Sequence, residues 1–216
     1  MSIAFFDFDG TLITRDSGVI CAVPSIKRGL LGPGIGVRLI GTYLLSKLGL
    51  RTRADAQRVG FECYRGRSLE ELRAIMQDLH DEHLSKFVSA PVRERVEAHR
   101  AAGDRLVVLT ASAFFFAEPL CAVLGIDELV GTKMGFVSGT CSGLVEGSIL
   151  DGKAKLDAAV RCAAVEGVSL ADCTFYTDHV ADLPLLEAVG TPVVVGGSAR
   201  LQRLAEERGW TRIAHE

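Results

Sequence analysis

Asp7 and Asp9 stand two apart, directly after the apolar run Ile3-Ala4-Phe5-Phe6 and directly before Gly10-Thr11. An apolar run this short, closed by a glycine turn, reads as a buried strand. Its carboxyl end is where open α/β sheets collect their ligands. Two carboxylates at this spacing repel one another unless a cation or a shared proton compensates them. Turn formation alone would explain the aspartates but not Phe8 between them. Strand alternation does, because it turns that ring away from both carboxylates.

Three further polar groups stand at the ends of apolar runs or just beyond them. Thr110 ends the run 105–110, Asp178 ends the run 173–178, and Asp182 lies four residues later near a helix start. In a parallel sheet these strand ends share one edge, so Asp7, Asp9, Asp178 and Asp182 converge on one crevice. Four carboxylates in one pocket call for a hard cation, and oxygen ligands of this charge suit Mg²⁺. Thr110 adds a hydroxyl donor, and the pair Lys153/Lys155 offers a fixed cation. Carboxylates, metal, hydroxyl and lysine together suit phosphoryl transfer, which depends on positioning and on charge neutralisation.

The elements that must hold these groups alternate in the second half of the chain. Residues 91–102 read as an amphipathic helix stopped by Gly103, and residues 114–124 as a helix closed by Gly125. Residues 129–145 carry glycines between β-formers and read as strand and hairpin, followed by a helix from 153 to 166. Residues 182–189 read as a helix, 192–195 as a fourth parallel strand, and Ser198 as the cap of a last helix running to Arg208. Such alternation predicts an α/β fold, a Rossmann-like three-layer parallel sheet.

Between the first strand and Ser89 only helical patterns are found, so an inserted helical unit is expected at 15–88 within a core of 1–14 and 89–216. Ser68-Leu69-Glu70-Glu71 fits a capping box. Gly32-Pro33-Gly34-Ile35-Gly36 reads as a helix break, since it lacks the strand and spacing of a dinucleotide loop. The segment 29–50 is apolar and flanked by basic residues, with Ile35, Leu39, Leu44, Leu45 and Leu48 on a broad face. Packing within the insert is the expected reading, with an interfacial membrane helix as the alternative. His80 and His83 sit among Asp81 and Glu82 on an expected solvated surface, so no metal role is assigned to them.

The chain has 216 residues, 48% hydrophobic and 24% charged, with a net charge of −3, and this offers no basis for nucleic-acid binding. Six scattered cysteines without a CxxC pair read as reduced thiols of a cytoplasmic protein. The aspartates interrupt what a secretory signal would need. A soluble monomer or homodimer acting on a small phosphorylated metabolite is expected, with no nucleic-acid partner and no membrane association.

Asp7-Phe8-Asp9-Gly10-Thr11-Leu12 resembles the first motif of the haloacid dehalogenase-like phosphohydrolases, and Thr110, a lysine before a helix, and Asp178 with Asp182 come after it in that family's order. The insert looks like the C1 helical cap of its phosphoserine phosphatase-like branch. The resemblance implies Asp7 as nucleophile forming an aspartyl-phosphate and Asp9 as the acid and base. It implies Thr110 on the phosphoryl group, with backbone N–H groups near Phe8 and Gly10, and Mg²⁺ held by Asp7, the Asp9 carbonyl and Asp178, with Asp182 assisting. Gly152-Lys153-Ala154-Lys155 and Gly167 fit the branch's lysine register at Lys155, leaving Lys153 solvated.

Asp16, Arg58 and Ala111 are the expected substrate-binding positions, with Arg53 and Arg65 competing with Arg58. The chain departs from the phosphoserine enzymes at Gly10, where serine is usual, at Thr110-Ala111-Ser112, where Ser-Gly-Gly is usual, and at His179. Phosphoserine, another small phosphomonoester and a lysophospholipid-type phosphate therefore stay open as substrates. A phosphomutase or phosphotransferase and a non-catalytic phosphate-sensing or membrane-associated module are the alternatives. Closure of the insert over the sheet edge is expected to gate access, with hinges near 14–16 and 86–90.

Overall fold

A computed structural model describes residues 2–29, 33–47, 50 and 53–215. Gly32 and Leu48 lie outside the described residues, as do the side chains of Ile35 and Arg53. The chain opens with β1 (Ile3–Phe6), then runs through five helices: α1 (Ser17–Lys27), α2 (Pro33–Lys47), α3 (Arg53–Glu62), α4 (Leu69–Glu82) and α5 (Ala90–Ala102). Alternating elements come next: β2 (Arg105–Ala113), α6 (Phe114–Leu124), β3 (Glu128–Thr132), the hairpin β4 (Met134–Val137) and β5 (Thr140–Val145), and α7 (Lys153–Glu166). The chain then forms β6 (Thr174–Thr177), α8 (Leu183–Leu186), β7 (Thr191–Val195), α9 (Ala199–Glu207) and β8 (Thr211–Ile213).

Six strands form one parallel sheet in the order β3-β2-β1-β6-β7-β8. The order reverses at β1, so its carboxyl end and that of β6 flank the crevice where such sheets bind ligands. Alternation along β1 divides the core. Ile3 and Phe5 face a layer built with α7, α8 and α9, while Ala4 and Phe6 face a layer that includes α5 and α6. Phe8 is fully buried in the second layer, apart from the two aspartates it separates.

The expected elements need four adjustments. Residues 128–132 join the sheet as a parallel edge strand, and only 134–145 form the hairpin, turned by Ser138 and Gly139 at positive φ. The helix expected at 182–189 is one 3₁₀ turn, Val180–Asp182, followed by the single-turn α8. Pro33 opens α2, so the break lies between α1 and α2, and Gly34 and Gly36 are helical. The sixth strand, β8, is short, and two of its three residues are exposed, so it carries no apolar run to announce it.

Ser68 and Glu71 close a reciprocal capping box at the start of α4. Leu72, Met76, Leu79 and His80 form its buried face, at helical spacing. His80 is therefore a core residue, not the surface histidine its acidic neighbours suggested. α4 docks on α6 through the apolar cluster containing Phe115 and Phe116, and Arg73 makes a bidentate pair with Glu118 at 2.8 and 2.7 Å. The segments flanking the helical stretch meet where Thr14 N–H donates to Phe87 O at 2.8 Å and Ser89 N–H to Leu12 O at 2.9 Å. No described helix is long and apolar enough to cross a membrane.

The cap and the buried face of α4 each set an expectation for stability. Ser68→Ala lowers the unfolding free energy by about 1 kcal/mol, read by denaturant titration. Burial lowers the His80 pKa, with Asp81 opposing. A depressed histidine favours the folded state above its unfolded pKa of about 6.5 and loses that contribution as pH falls. The thermal midpoint should therefore drop between about pH 7 and pH 5, and His80→Leu should reduce that slope. An unchanged slope would contradict the assignment.

Candidate active site

β1 pairing continues one residue past the strand, with Asp7 N–H donating to Tyr176 O at 2.9 Å. The chain then turns at once: Leu12 N–H donates to Asp7 O and Ile13 N–H to Phe8 O. That turn leaves the Asp7 side chain at the sheet edge, where its Oδ1 accepts from Phe8 N–H at 2.7 Å. Lys155, on the buried face of α7 with Ala158, Ala159, Cys162 and Ala163, reaches the same point. Its Nζ lies 2.9 Å from Asp7 Oδ1 and 2.8 Å from Asp182 Oδ2. Thr177, the last residue of β6, donates to Asp182 Oδ2 at 2.7 Å. Lys155, Asp7 and Asp182 are 2%, 3% and 0% exposed, whereas the Lys153 side chain is 80% exposed and pairs with Asp157.

The charges in this cluster depend on one another. Burial alone would push the Lys155 pKa down, but Asp182 and Asp7 outweigh it and the net shift is upward. Burial would push Asp182 up, but Lys155 and the Thr177 hydrogen bond outweigh it and the net shift is downward. A raised lysine loses its stabilising contribution only as pH climbs above about 10.4. A lowered aspartate loses its contribution only as pH falls below about 3.9. Between those limits Lys155 and Asp182 both stay ionised.

Asp9 is held separately. Its Oδ1 accepts from Ser17 N–H at 2.6 Å, in the first turn of α1, and its Oδ2 from Ser112 Oγ at 2.5 Å. Asp16 caps α1, accepting from Val19 N–H at 3.2 Å, and is half-buried. Thr110 is fully buried, and its Oγ1 accepts from Ser112 N–H at 3.1 Å. β2 does not end at Thr110 as the sequence suggests. It runs on to Ala113 with a register shift after Thr110, a bulge of the kind that re-aims side chains at sites. The Ala111 carbonyl within it accepts from Thr132 Oγ1 at 2.7 Å.

Asp178 sits between two glycines. Gly10, at φ +74°, brings its Cα against the Asp178 carboxylate, and Gly197, at φ +85°, brings its Cα against the Asp178 carbonyl. A Cβ at either position would overlap those atoms, and the positive φ disfavours any L side chain as well.

The donor set fits a hard cation. Asp182 Oδ1 is buried and has no hydrogen-bond partner among the described residues. Carboxylates from Asp7, Asp178 and Asp182 supply the oxygen chemistry that Mg²⁺ takes. The Asp9 carboxylate is engaged by Ser17 N–H and Ser112 Oγ, which leaves its main-chain carbonyl as the oxygen it would offer a cation. Among the described residues, no three His, Cys, Asp or Glu side chains already converge as a metal cage.

The structure thus gathers Asp7, Lys155 and Asp182 directly, places Asp178 against the Gly10 turn, and brings Asp9 and Thr110 together through Ser112. Arg58 does not join them. Its side chain is 64% exposed and lies 3.8 Å from Asp55. Arg65 is committed to the hairpin, donating to Ser142 O at 3.0 Å. Ser112, Ser17 and Thr177 are the groups sequence reasoning did not single out. Ser112 and Thr110 share a face by the period-two rule, which is the signal that could have found Ser112.

A family model described as haloacid dehalogenase-like hydrolase matches residues 4–187. A protein named phosphoserine phosphatase SerB1 from Mycobacterium tuberculosis is 33% identical over 96% of this chain and 68% of its own length. A protein named histidinol-phosphatase from Neisseria meningitidis is 29% identical over 97% of this chain and 96% of its own. The crystal structure of a protein of unknown function from Bordetella pertussis superposes with a TM-score of 0.88 at 28% identity, covering 100% of this chain and 99% of that one. Sheet order, clustered carboxylates and these matches agree, and the chain belongs to the haloacid dehalogenase-like hydrolases, its named relatives being phosphatases.

Proposed function

We propose that this hydrolase cleaves a small phosphomonoester through an aspartyl-phosphate on Asp7. The observation that carries the reading is the buried Lys155 ammonium bridging Asp7 and Asp182, beside a second aspartate held apart by its own donors. A carboxylate nucleophile divides one difficult displacement into two easier ones. Asp7 attacks phosphorus while Asp9, protonated, gives its proton to the departing alcohol oxygen. Asp9 then takes a proton from water as that water attacks phosphorus, which frees Asp7 and inorganic phosphate. Thr110 and the backbone N–H groups of the Phe8–Gly10 turn bind the phosphoryl oxygens. Mg²⁺ bound by Asp7, Asp178 and the Asp9 carbonyl, with Asp182 nearby, would neutralise phosphoryl charge.

The helices of residues 15–88 are read as a cap that walls the site from bulk water. The substrates named for the two relatives are both amino-alcohol phosphates, which supports an amino-alcohol phosphate here. Asp16, beside Ser17 at the Asp9 end of the site, is the carboxylate proposed to meet the substrate ammonium. Ala111 would contribute backbone only, and Arg58 is not needed in this arrangement.

Purified protein with Mg²⁺ is expected to release phosphate from phosphoserine or histidinol phosphate. Asp7→Asn should abolish turnover and EDTA should suppress it; full activity in either case would overturn the corresponding part of the mechanism. Gly10→Ala should lower kcat by about 10²-fold, because it displaces Asp178 from the turn. Asp16→Asn keeps a competent helix cap. It should raise KM for the amino-alcohol phosphate by roughly tenfold, the size of one charge-assisted hydrogen bond, and leave KM for p-nitrophenyl phosphate unchanged. Lys155→Met should cost about 3 kcal/mol of stability, since it leaves two buried carboxylates facing each other.

A further inference from the structure

His215 lies beyond β8, more than two hundred residues from Gly10, yet touches the turn that carries the two aspartates. Gly196 N–H donates to Ile213 O at 2.8 Å and brings this segment alongside β7. The ring then lies over Gly196, where a Cβ would meet its Cδ2 at 3.3 Å. From there His215 Nε2 is 3.0 Å from Gly10 O, and Nδ1 is 3.1 Å from Ser89 Oγ. A carbonyl only accepts, so Nε2 carries the hydrogen, and in the neutral ring Nδ1 accepts from the serine hydroxyl.

Ser89 is itself buried, starts α5 as its cap residue, and donates its N–H to Leu12 O at 2.9 Å. Gly10 and Leu12, the two sides of Thr11, are therefore stapled to one corner by His215 and Ser89. On the opposite side of the same turn, Gly10 Cα abuts the Asp178 carboxylate. A glycine at positive φ is the residue whose peptide plane rotates most easily. Without His215 the Gly10–Thr11 plane keeps the Thr11 N–H bond to Phe8 O at 3.3 Å but loses its hold on the carbonyl side, and a tilt there would change the placing of Asp7, Asp9 and Asp178 together.

We propose that His215 is a positioning residue for the reaction, acting through the Gly10 carbonyl and, with Ser89, tying the nucleophile turn to the segment that returns from the helical stretch. This rests on the phosphomonoesterase reading above. It differs from a general packing role because the effect is local to residues 8–13 and depends on one hydrogen bond.

The test compares wild type with His215→Ala, His215→Gln and Ser89→Ala, measuring steady-state kinetics, thermal midpoint and backbone amide exchange. His215→Ala should lower kcat by about tenfold or more while KM stays within roughly threefold, a split expected when geometry and not binding is lost. His215→Gln retains an N–H donor for Gly10 and should recover most of kcat. Amides of Thr11, Leu12 and Ile13 should exchange faster in His215→Ala, with the amides of β2 and β6 unchanged. Wild-type kcat in His215→Ala overturns the proposal. So does a loss of kcat that tracks the thermal midpoint and is no better with Gln. Should His215→Ala not fold, Ser89→Ala decides, since it keeps the Ser89 N–H on Leu12 and removes only the hydroxyl that orients His215: faster exchange at Thr11 supports the staple, and unchanged exchange overturns it. If wild type turns over no phosphomonoester, the functional reading fails, while the exchange data still decide whether His215 holds the turn.

Discussion

The site depends on one buried ammonium. Lys155 is almost wholly removed from water, and an isolated charge there would cost several kcal/mol. It is stable because Asp7 reaches it from the end of β1 and Asp182 from the 3₁₀ turn after β6, and Thr177 supports Asp182. The dependence is mutual, since the two carboxylates could not both ionise so close together without it. For all three to meet, β1 and β6 must be neighbours and α7 must start over their carboxyl ends. A sheet that reverses its strand order at β1 satisfies both conditions.

The same constraint separates two residues that look equivalent in sequence. Asp7 is matched to a fixed cation. Asp9, two positions on, meets hydrogen-bond donors: a helix-start N–H and a serine hydroxyl. The turn that follows them is short and passes through Gly10 at positive φ, with Asp178 on one side and His215 on the other. Small displacements of that turn would move both aspartates at once.

Much of this could be read from the residues. Apolar runs announced β1, β2, β6 and β7, because strands buried on both faces are continuously apolar. The polar residues ending those runs marked the crevice. The lysine register of the family resemblance favoured Lys155 over Lys153, and burial separates the two in the fold. β8 was not legible because a short edge strand with exposed side chains carries no hydrophobic signal. His80 was misread because its acidic neighbours along the chain point to solvent while its helical neighbours Leu72, Met76 and Leu79 point to the core. Arg58, exposed and beside Asp55, is not brought to the carboxylates in this structure. His215 was not legible because its partners are contributed by remote segments that no local pattern relates.

The central claim is that phosphorus passes through Asp7, and trapping the intermediate tests it most directly. Enzyme mixed with substrate and quenched in acid within one turnover can be reduced with borohydride, which converts an aspartyl-phosphate to homoserine. Homoserine is expected at position 7 in the peptide containing Phe5 to Leu12, and none there in Asp7→Asn. Phosphate release in a clear burst with residue 7 unmodified, or with the label on another residue, would contradict it.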